Sequence, residues 1–241
     1  VSFFAYPDKK SFLSPDEAEL FELCSVEENG YEALALLSEL SGSPKIANEL
    51  IRPYIADVPT SGDLDIITLG PLIADIMPEE SIVSDESATS SLIVTPHALQ
   101  AKPHDWLALT GGSIGQGLPL AIGASIAKPD RPVITLHGDG GAMYTVQALW
   151  TQARENLNIT NIIFSNRSYE ILKIELDRVQ AVETGERAAS MFSMDNPPID
   201  WVNLAESMGV QGYKPKTVKE FKDVFSKSVN ESGPSLIEIE I

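Results

Sequence analysis

Asp139 and Asn166 are the side chains of this sequence best placed to do chemistry, because each stands at the end of an apolar run. Asp139 follows Val133-Ile134-Thr135-Leu136-His137-Gly138 and precedes Gly140 and Gly141; Asn166 follows Ile162-Ile163-Phe164-Ser165. Short apolar runs bounded by turn residues read as buried strands. If the two strands are parallel, both side chains emerge at the carboxyl edge of the sheet, where open α/β sheets place their ligands. An aspartate and an asparagine there suit a hard divalent cation, which takes oxygen ligands. The Gly-Asp-Gly-Gly turn is rich in backbone N–H groups that can meet a diphosphate carried by that cation.

Two further loops follow apolar segments. One is Asp85-Glu86-Ser87-Ala88-Thr89-Ser90; the other is Thr110-Gly111-Gly112-Ser113-Ile114-Gly115-Gln116-Gly117. Singly, each is an ordinary turn. With parallel strands, residues 85–90, 110–117 and 138–142 gather on one edge and suggest a long cofactor lying across it. A dinucleotide fold is the rival. Met143 stands where the third glycine of that fingerprint belongs, and Ser165-Asn166 stand where its acidic residue belongs. Asp139 would also repel a pyrophosphate unless a metal lay between them. A Walker loop needs Gly-Lys-Ser or Gly-Lys-Thr, and neither occurs. These failures favour metal-mediated diphosphate binding.

The elements that must position these loops alternate between strand and helix patterns. Residues 65–77 read as helical in their second half, with Pro71 in a first turn. Ser81–Ser84 is a short buried strand and Trp106–Leu109 an apolar segment. Helices are expected over Leu118–Ala127, begun by Pro119, over Ala142–Glu155, and over Tyr169–Val179, Ile199–Met208 and Thr217–Val229. Strands are expected over Ile159–Phe164 and Ser235–Ile241. Such alternation implies a doubly wound α/β fold, with a mostly parallel sheet and helices on both faces. Residues 1–60 differ. Pro15-Asp16-Glu17 could open a short acidic helix, Glu32–Leu40 is strongly helix-forming, and Gly42-Ser43-Pro44 breaks it. This stretch reads as a linker and docking arm before a domain spanning 61–241.

The 241 residues, 43% of them apolar, can bury a sizeable core. The formal net charge of −18 argues against nucleic acid or an anionic membrane as partner, since both need clustered Lys and Arg. Cys24 is the only cysteine, so no disulfide framework or multi-cysteine zinc site forms, and a reducing, cytoplasmic setting fits. No apolar run approaches a membrane span. The first residues lack the basic-then-apolar pattern of a signal peptide, and the chain opens on Val1, so a processed protein or a fragment is expected.

Gly138-Asp139-Gly140, a spacer and then Asn166 resemble the signature of thiamin diphosphate-dependent enzymes, which is Gly-Asp-Gly, a spacer, then Asn-Asn. Ser165 replaces the first asparagine, and Asn166 matches the metal-binding second one. The stretches Gly140–Trp150 and Asn166–Lys173 look like those of acetolactate synthase and benzoylformate decarboxylase relatives. The resemblance covers roughly 61–241, the diphosphate-binding domain, and makes 1–60 the tail of a preceding middle domain.

The resemblance implies side-chain oxygens of Asp139 and Asn166 and the backbone carbonyl of Ser168 on Mg²⁺. It implies Gly140 and Gly141 N–H groups on the diphosphate, Ala88 and Thr89 holding it from the first loop, and Tyr169 beside the cofactor. Gly112 would accept a hydrogen bond from the cofactor's 4′-amino group, and Ile114 would wedge the cofactor into its bent form. No catalytic residue is expected in this chain: the family's activating Glu lies on the pyrimidine-binding domain of a neighbouring subunit, and Glu86 is no substitute. The chain should therefore be inactive alone. The intact enzyme would be a dimer or tetramer that decarboxylates or joins 2-keto acids, with FAD undecided. Alternatives are benzoylformate- or oxalyl-CoA-type decarboxylation, or a non-catalytic module that keeps only the fold. His97, His104, His137 and Glu170 are weaker candidates, and Trp150 and Trp201 are expected in the core.

Overall fold

The computed structural model describes residues 21, 23–25, 27–42, 57–98, 101–178 and 185–241. It divides into two compact units, Val1–Ile51 and Arg52–Ile241. In the first, helix α1 spans Gly30–Leu40 and buries none of its residues. It begins two residues before the helix-forming run because the Asn29 side chain accepts the N–H groups of Tyr31 and Glu32. The acidic helix start at Pro15 lies outside the described residues.

The second unit holds a six-stranded, wholly parallel sheet. Its strands are β1 (Ile82–Glu86), β2 (Asp105–Ala108), β3 (Val133–Gly138), β4 (Ile159–Ser165), β5 (Gln211–Tyr213) and β6 (Ser235–Glu240). Their order is β2-β1-β3-β4-β6-β5. The chain steps outward from β1 to β2, then returns to the other side of β1 to lay down β3. The direction of winding therefore reverses between β1 and β3, and such a switch opens a crevice at the strands' carboxyl ends.

Helices α2 (Ile66–Ile76), α3 (Ser91–Ala98) and α10 (Val218–Asn230) supply one face. Leu69, Leu72, Val94, Phe221 and Phe225 pack there on Val83, Ile134, Leu136, Ile162, Phe164, Ile237 and Ile239. The other face carries α4 (Gly117–Ala127), α6 (Ala148–Arg154) and α9 (Trp201–Ser207), with Leu118, Leu149, Trp201 and Ala205 against Ile163 and Leu236. Alternate strand residues serve alternate faces, as the pleat requires. Short helices α5 (Asp139–Ala142), α7 (Glu170–Arg178) and α8 (Glu186–Ser190) sit among the connections.

Four elements depart from the sequence reading. Helix α2 starts at Ile66, because Asp65 and Thr68 form a reciprocal capping box, so Pro71 falls inside the helix and not in its first turn. Pro71 has no N–H for the Ile67 carbonyl, but Ile67 is solvent-exposed, so water can take that bond. The helix expected over 142–155 is broken into α5 and α6, because the Thr145 hydroxyl is drawn aside to the Gly115 carbonyl. Helix α3 and the three-residue strand β5 carry too little periodicity to be read from sequence.

The largest packing block on the α10 face is the pair Phe221 and Phe225, stacked at 5.4 Å and fully buried. Replacing Phe221 with Ala should cost about 3–5 kcal/mol. Urea unfolding followed by circular dichroism should show this as a lower midpoint with an unchanged slope.

Candidate functional site at the sheet edge

The register fixes the site. Glu86 pairs with His137, and Gly138 with Phe164, so β1, β3 and β4 end level with one another. The turns that follow them line a single open cavity, whose walls include Ala88, Thr89, Asp139, Gly140, Gly141, Asn166, Ser168 and Tyr169. Asp139 and Asn166 therefore stand on the same edge and face the same space. Gly112 and Ile114, from the second loop, are not among its lining residues; both are exposed.

Asp139 is 3% exposed. Its Oδ1 accepts the Gly140 N–H and its Oδ2 the Arg167 N–H, each at 2.8 Å. Burial pushes its carboxyl above the ordinary aspartate value, although those N–H groups and Ser165 pull the other way. A buried carboxylate whose hydrogen bonds do not offset its desolvation gains from a nearby cation. Asn166 is half-buried and folds its Oδ1 onto the Ser168 N–H at 2.9 Å, an Asx-type turn. Arg167 sits between them in the left-handed region, with φ +53°. This kink turns its N–H back to Asp139 and so brings the β4 turn to the β3 turn.

Among the described residues, no group of three or more His, Cys, Asp or Glu side chains is placed to hold a metal. A cation here would draw on one carboxylate and on neutral oxygens from Asn166 and the backbone. A divalent ion so held keeps a net positive charge, which suits an anionic phosphate and not a further carboxylate. Gly140 packs beneath the Tyr169 ring, and a Cβ there would come within 2.7 Å of it. A side chain at that position would have to displace the ring or block the cavity.

The first loop is organised by Asp85, whose Oδ1 accepts the Ser87 N–H and the Ser87 hydroxyl at 2.9 and 2.6 Å. Ala88 then adopts φ +51°, a strained value for a residue with a Cβ. Its exposed methyl offers no polar contact, so only its backbone can serve a ligand.

Several further residues shape this edge: His137 and Glu170 are weaker candidates from the sequence, whereas Arg167, Lys214, Glu238 and Glu240 carry no sequence signal as site residues. Glu86 and His137 are buried side by side beneath it. The Arg167 side chain bonds Glu240 of β6, and Lys214 bridges Glu238 and Glu240 at 3.1 and 3.0 Å. Glu170 lines the cavity and meets Lys173 at 3.1 Å. His97 packs on Gly70 and His104 on the edge of Trp106, and neither lines the cavity. Trp201 is in the core as expected, whereas Trp150 is 52% exposed, with Arg154 over its ring at 5.4 Å. Its helix, α6, turns Leu149 inward instead, and seven residues are too few to show that face in sequence.

Residues 88–239 match the family described as thiamine pyrophosphate enzyme, C-terminal TPP binding domain. A Mycobacterium tuberculosis protein assigned as an acetolactate synthase large subunit, IlvX, is 41% identical over 99% of this chain and 46% of its own length. Benzoylformate decarboxylase of Pseudomonas aeruginosa is 26% identical over 85% of this chain and 38% of its own. The solved structure of the thiamine diphosphate-dependent 4-hydroxybenzoylformate decarboxylase of Rhodococcus jostii RHA1 superposes with a TM-score of 0.69 at 28% identity. It covers 87% of this chain and 38% of that one. The chain thus spans less than half the length of these relatives. The chain belongs to the thiamine pyrophosphate enzyme family, as its C-terminal, TPP-binding domain.

Proposed function

We propose that this chain is the diphosphate- and Mg²⁺-holding part of a thiamin diphosphate-dependent 2-keto acid decarboxylase or synthase of the acetolactate synthase type. The observation that carries the reading is Asp139: a buried carboxylate of raised pKa, one hydrogen bond away from the Asn166 turn, at the rim of a cavity. In this reading Asp139, Asn166 and the Ser168 carbonyl hold the cation. The N–H groups of Gly140 and Gly141 face the diphosphate, while Thr89 and the backbone of Ala88 hold it from the other side and Tyr169 covers the turn. Gly112 and Ile114 meet the rings of the cofactor. When bound, thiamin diphosphate supplies an electron sink for the bond pair released as carbon dioxide leaves a 2-keto acid.

The remaining parts come from outside. Residues 1–60 are read as the tail of a preceding middle domain. The activating Glu would come from a pyrimidine-binding domain of a neighbouring subunit, which makes the working enzyme a dimer or tetramer and leaves this chain inactive alone. Among the described residues no helix is long and apolar enough to cross a membrane, and a cytoplasmic setting is part of the proposal. The likeness to the Rhodococcus enzyme favours benzoylformate-type decarboxylation as the second reading. Supplying the pyrimidine-binding domain and comparing turnover of pyruvate and benzoylformate separates the two.

Titration calorimetry tests the cofactor reading. Thiamin diphosphate should give heat only with Mg²⁺ present; Asn166→Ala should weaken binding about tenfold or more, and Asp139→Asn should abolish it. An absence of Mg²⁺-dependent heat, even with the pyrimidine-binding domain added, would leave an idle module that keeps only the fold.

The same binding should depend on pH with a definite sign. Protons compete with Mg²⁺ for Asp139, whose folded pKa is raised. Affinity is full above that raised value and falls as pH drops through it, earlier than for an ordinary aspartate. In the metal-free chain the sign is opposite, because protonating the buried carboxylate relieves its desolvation and favours the fold. Isotherms taken from about pH 8 down through the carboxylate range should show the decline, and a profile that stays flat through that range would exclude Asp139 as the ligand.

A further inference from the structure

Glu86 and His137 meet where the three edge loops come together. They are direct partners across β1 and β3, and His137 Nε2 lies 3.0 Å from Glu86 Oε2. Glu86 is 5% exposed and His137 fully buried. The Glu86 carboxylate also accepts the Gly115 N–H at 2.5 Å on Oε1 and the Gly117 N–H at 2.6 Å on Oε2. Burial works to raise its pKa, but His137 and these two N–H groups hold it below the ordinary value, so the charged form is favoured. Glycines crowd the pair from two sides. A Cβ on Gly117 would lie 2.8 Å from the His137 ring, and one on Gly141 would lie 3.1 Å from both Glu86 Oε1 and that ring.

Part of this is helix capping. Gly117 opens α4, whose N-cap residue Gln116 makes no side-chain capping bond, so Glu86 brings negative charge to that terminus from a neighbouring strand. Gly115 has a different role, because it lies before the helix. Its N–H is held by Glu86, and its carbonyl accepts the Thr145 hydroxyl at 2.7 Å. With φ +88°, and Tyr144 Cβ within 2.8 Å of where a Cβ would sit, the position admits only glycine. The residue just before this clamp is Ile114, 54% exposed. A backbone fixed on both sides thus presents an apolar side chain to solvent. Ordering a backbone without burying its side chain costs entropy, and a ligand that meets the side chain later recovers that cost.

We propose that Glu86 is a positioning residue of the cofactor site: together with Thr145 it fixes the peptide groups of Gly115, and so aims Ile114 at the rings of a cofactor whose diphosphate is held at Asp139 and Asn166. This rests on the thiamin diphosphate reading above. Inorganic pyrophosphate engages only the metal and phosphate groups, whereas thiamin diphosphate also engages the ring-contacting loop. Comparing the two ligands therefore isolates what Glu86 does.

The test is titration calorimetry of the 241-residue chain with Mg²⁺ and each ligand, alongside amide hydrogen exchange at Gly115 and Gly117. The wild type should bind thiamin diphosphate more tightly than pyrophosphate. Glu86→Gln should leave the pyrophosphate affinity within about twofold, weaken thiamin diphosphate about tenfold, and speed exchange at Gly115 and Gly117 but not in β3. Thr145→Val removes the opposite clamp without stripping charge from the interior. It should reproduce the pattern, and it carries the test if Glu86→Gln fails to fold. Equal weakening of both ligands, or no change in either, would overturn the proposal. A wild type that binds the two ligands equally would also overturn it, while leaving the diphosphate reading intact. A wild type that binds neither, even with the pyrimidine-binding domain added, would remove both.

Discussion

A single buried carboxylate joins the two turns that carry the proposed cation site. Asp139 accepts one N–H from its own turn and one from the turn after β4, and that second bond forms only because Arg167 is kinked into the left-handed region. The charge is costly where it lies, since burial raises the pKa in spite of the hydrogen bonds. Groups kept ionised at such a cost are concentrated at functional sites. In the proposed reading, a cation sharing the carboxylate would offset that cost.

Bringing the two turns together requires β3 and β4 to hold one register. Asn161 on β4 secures it from inside. Its amide bonds Thr135 of β3, Gln152 of α6 and the Ser235 carbonyl of β6 at 2.8 to 3.2 Å, and all four residues are buried. A slip of one residue would strand this amide and turn Ile162 and Phe164 away from the α10 face. Apolar packing thus sets which way each strand faces, and the buried amide sets how far along it lies.

What could be read from the sequence followed from strand direction. The apolar runs before Asp139 and Asn166 and the helical segments between strands imply parallel strands, and parallel strands imply one shared edge. The Asp139–Asn166 edge was therefore legible before any coordinates. His137 could be singled out beside the Asp139 turn, but its pairing with Glu86 could not, because that depends on register between strands separated by some fifty residues of chain. Pro71 was misplaced because the capping box at Asp65 outweighs the preference of proline for a first turn. Trp150 was misassigned because its short helix shows no clear apolar stripe. The break at Thr145 was hidden because it depends on a tertiary hydrogen bond to Gly115.

The Arg167 side chain leaves the turn after β4 and reaches Glu240 at the end of β6, where Lys214 bonds both Glu240 and Glu238. Arg167 and Glu240 are each about two-fifths exposed, whereas Asp139 is sealed from solvent. The turn is thus braced by two electrostatic contacts of unequal reach from water. Mobile ions screen exposed pairs far more than buried ones. Raising ionic strength would slacken the outer brace first, leaving the Arg167 kink to the inner bond alone, so this corner of the sheet edge would loosen with salt before the fold itself responds.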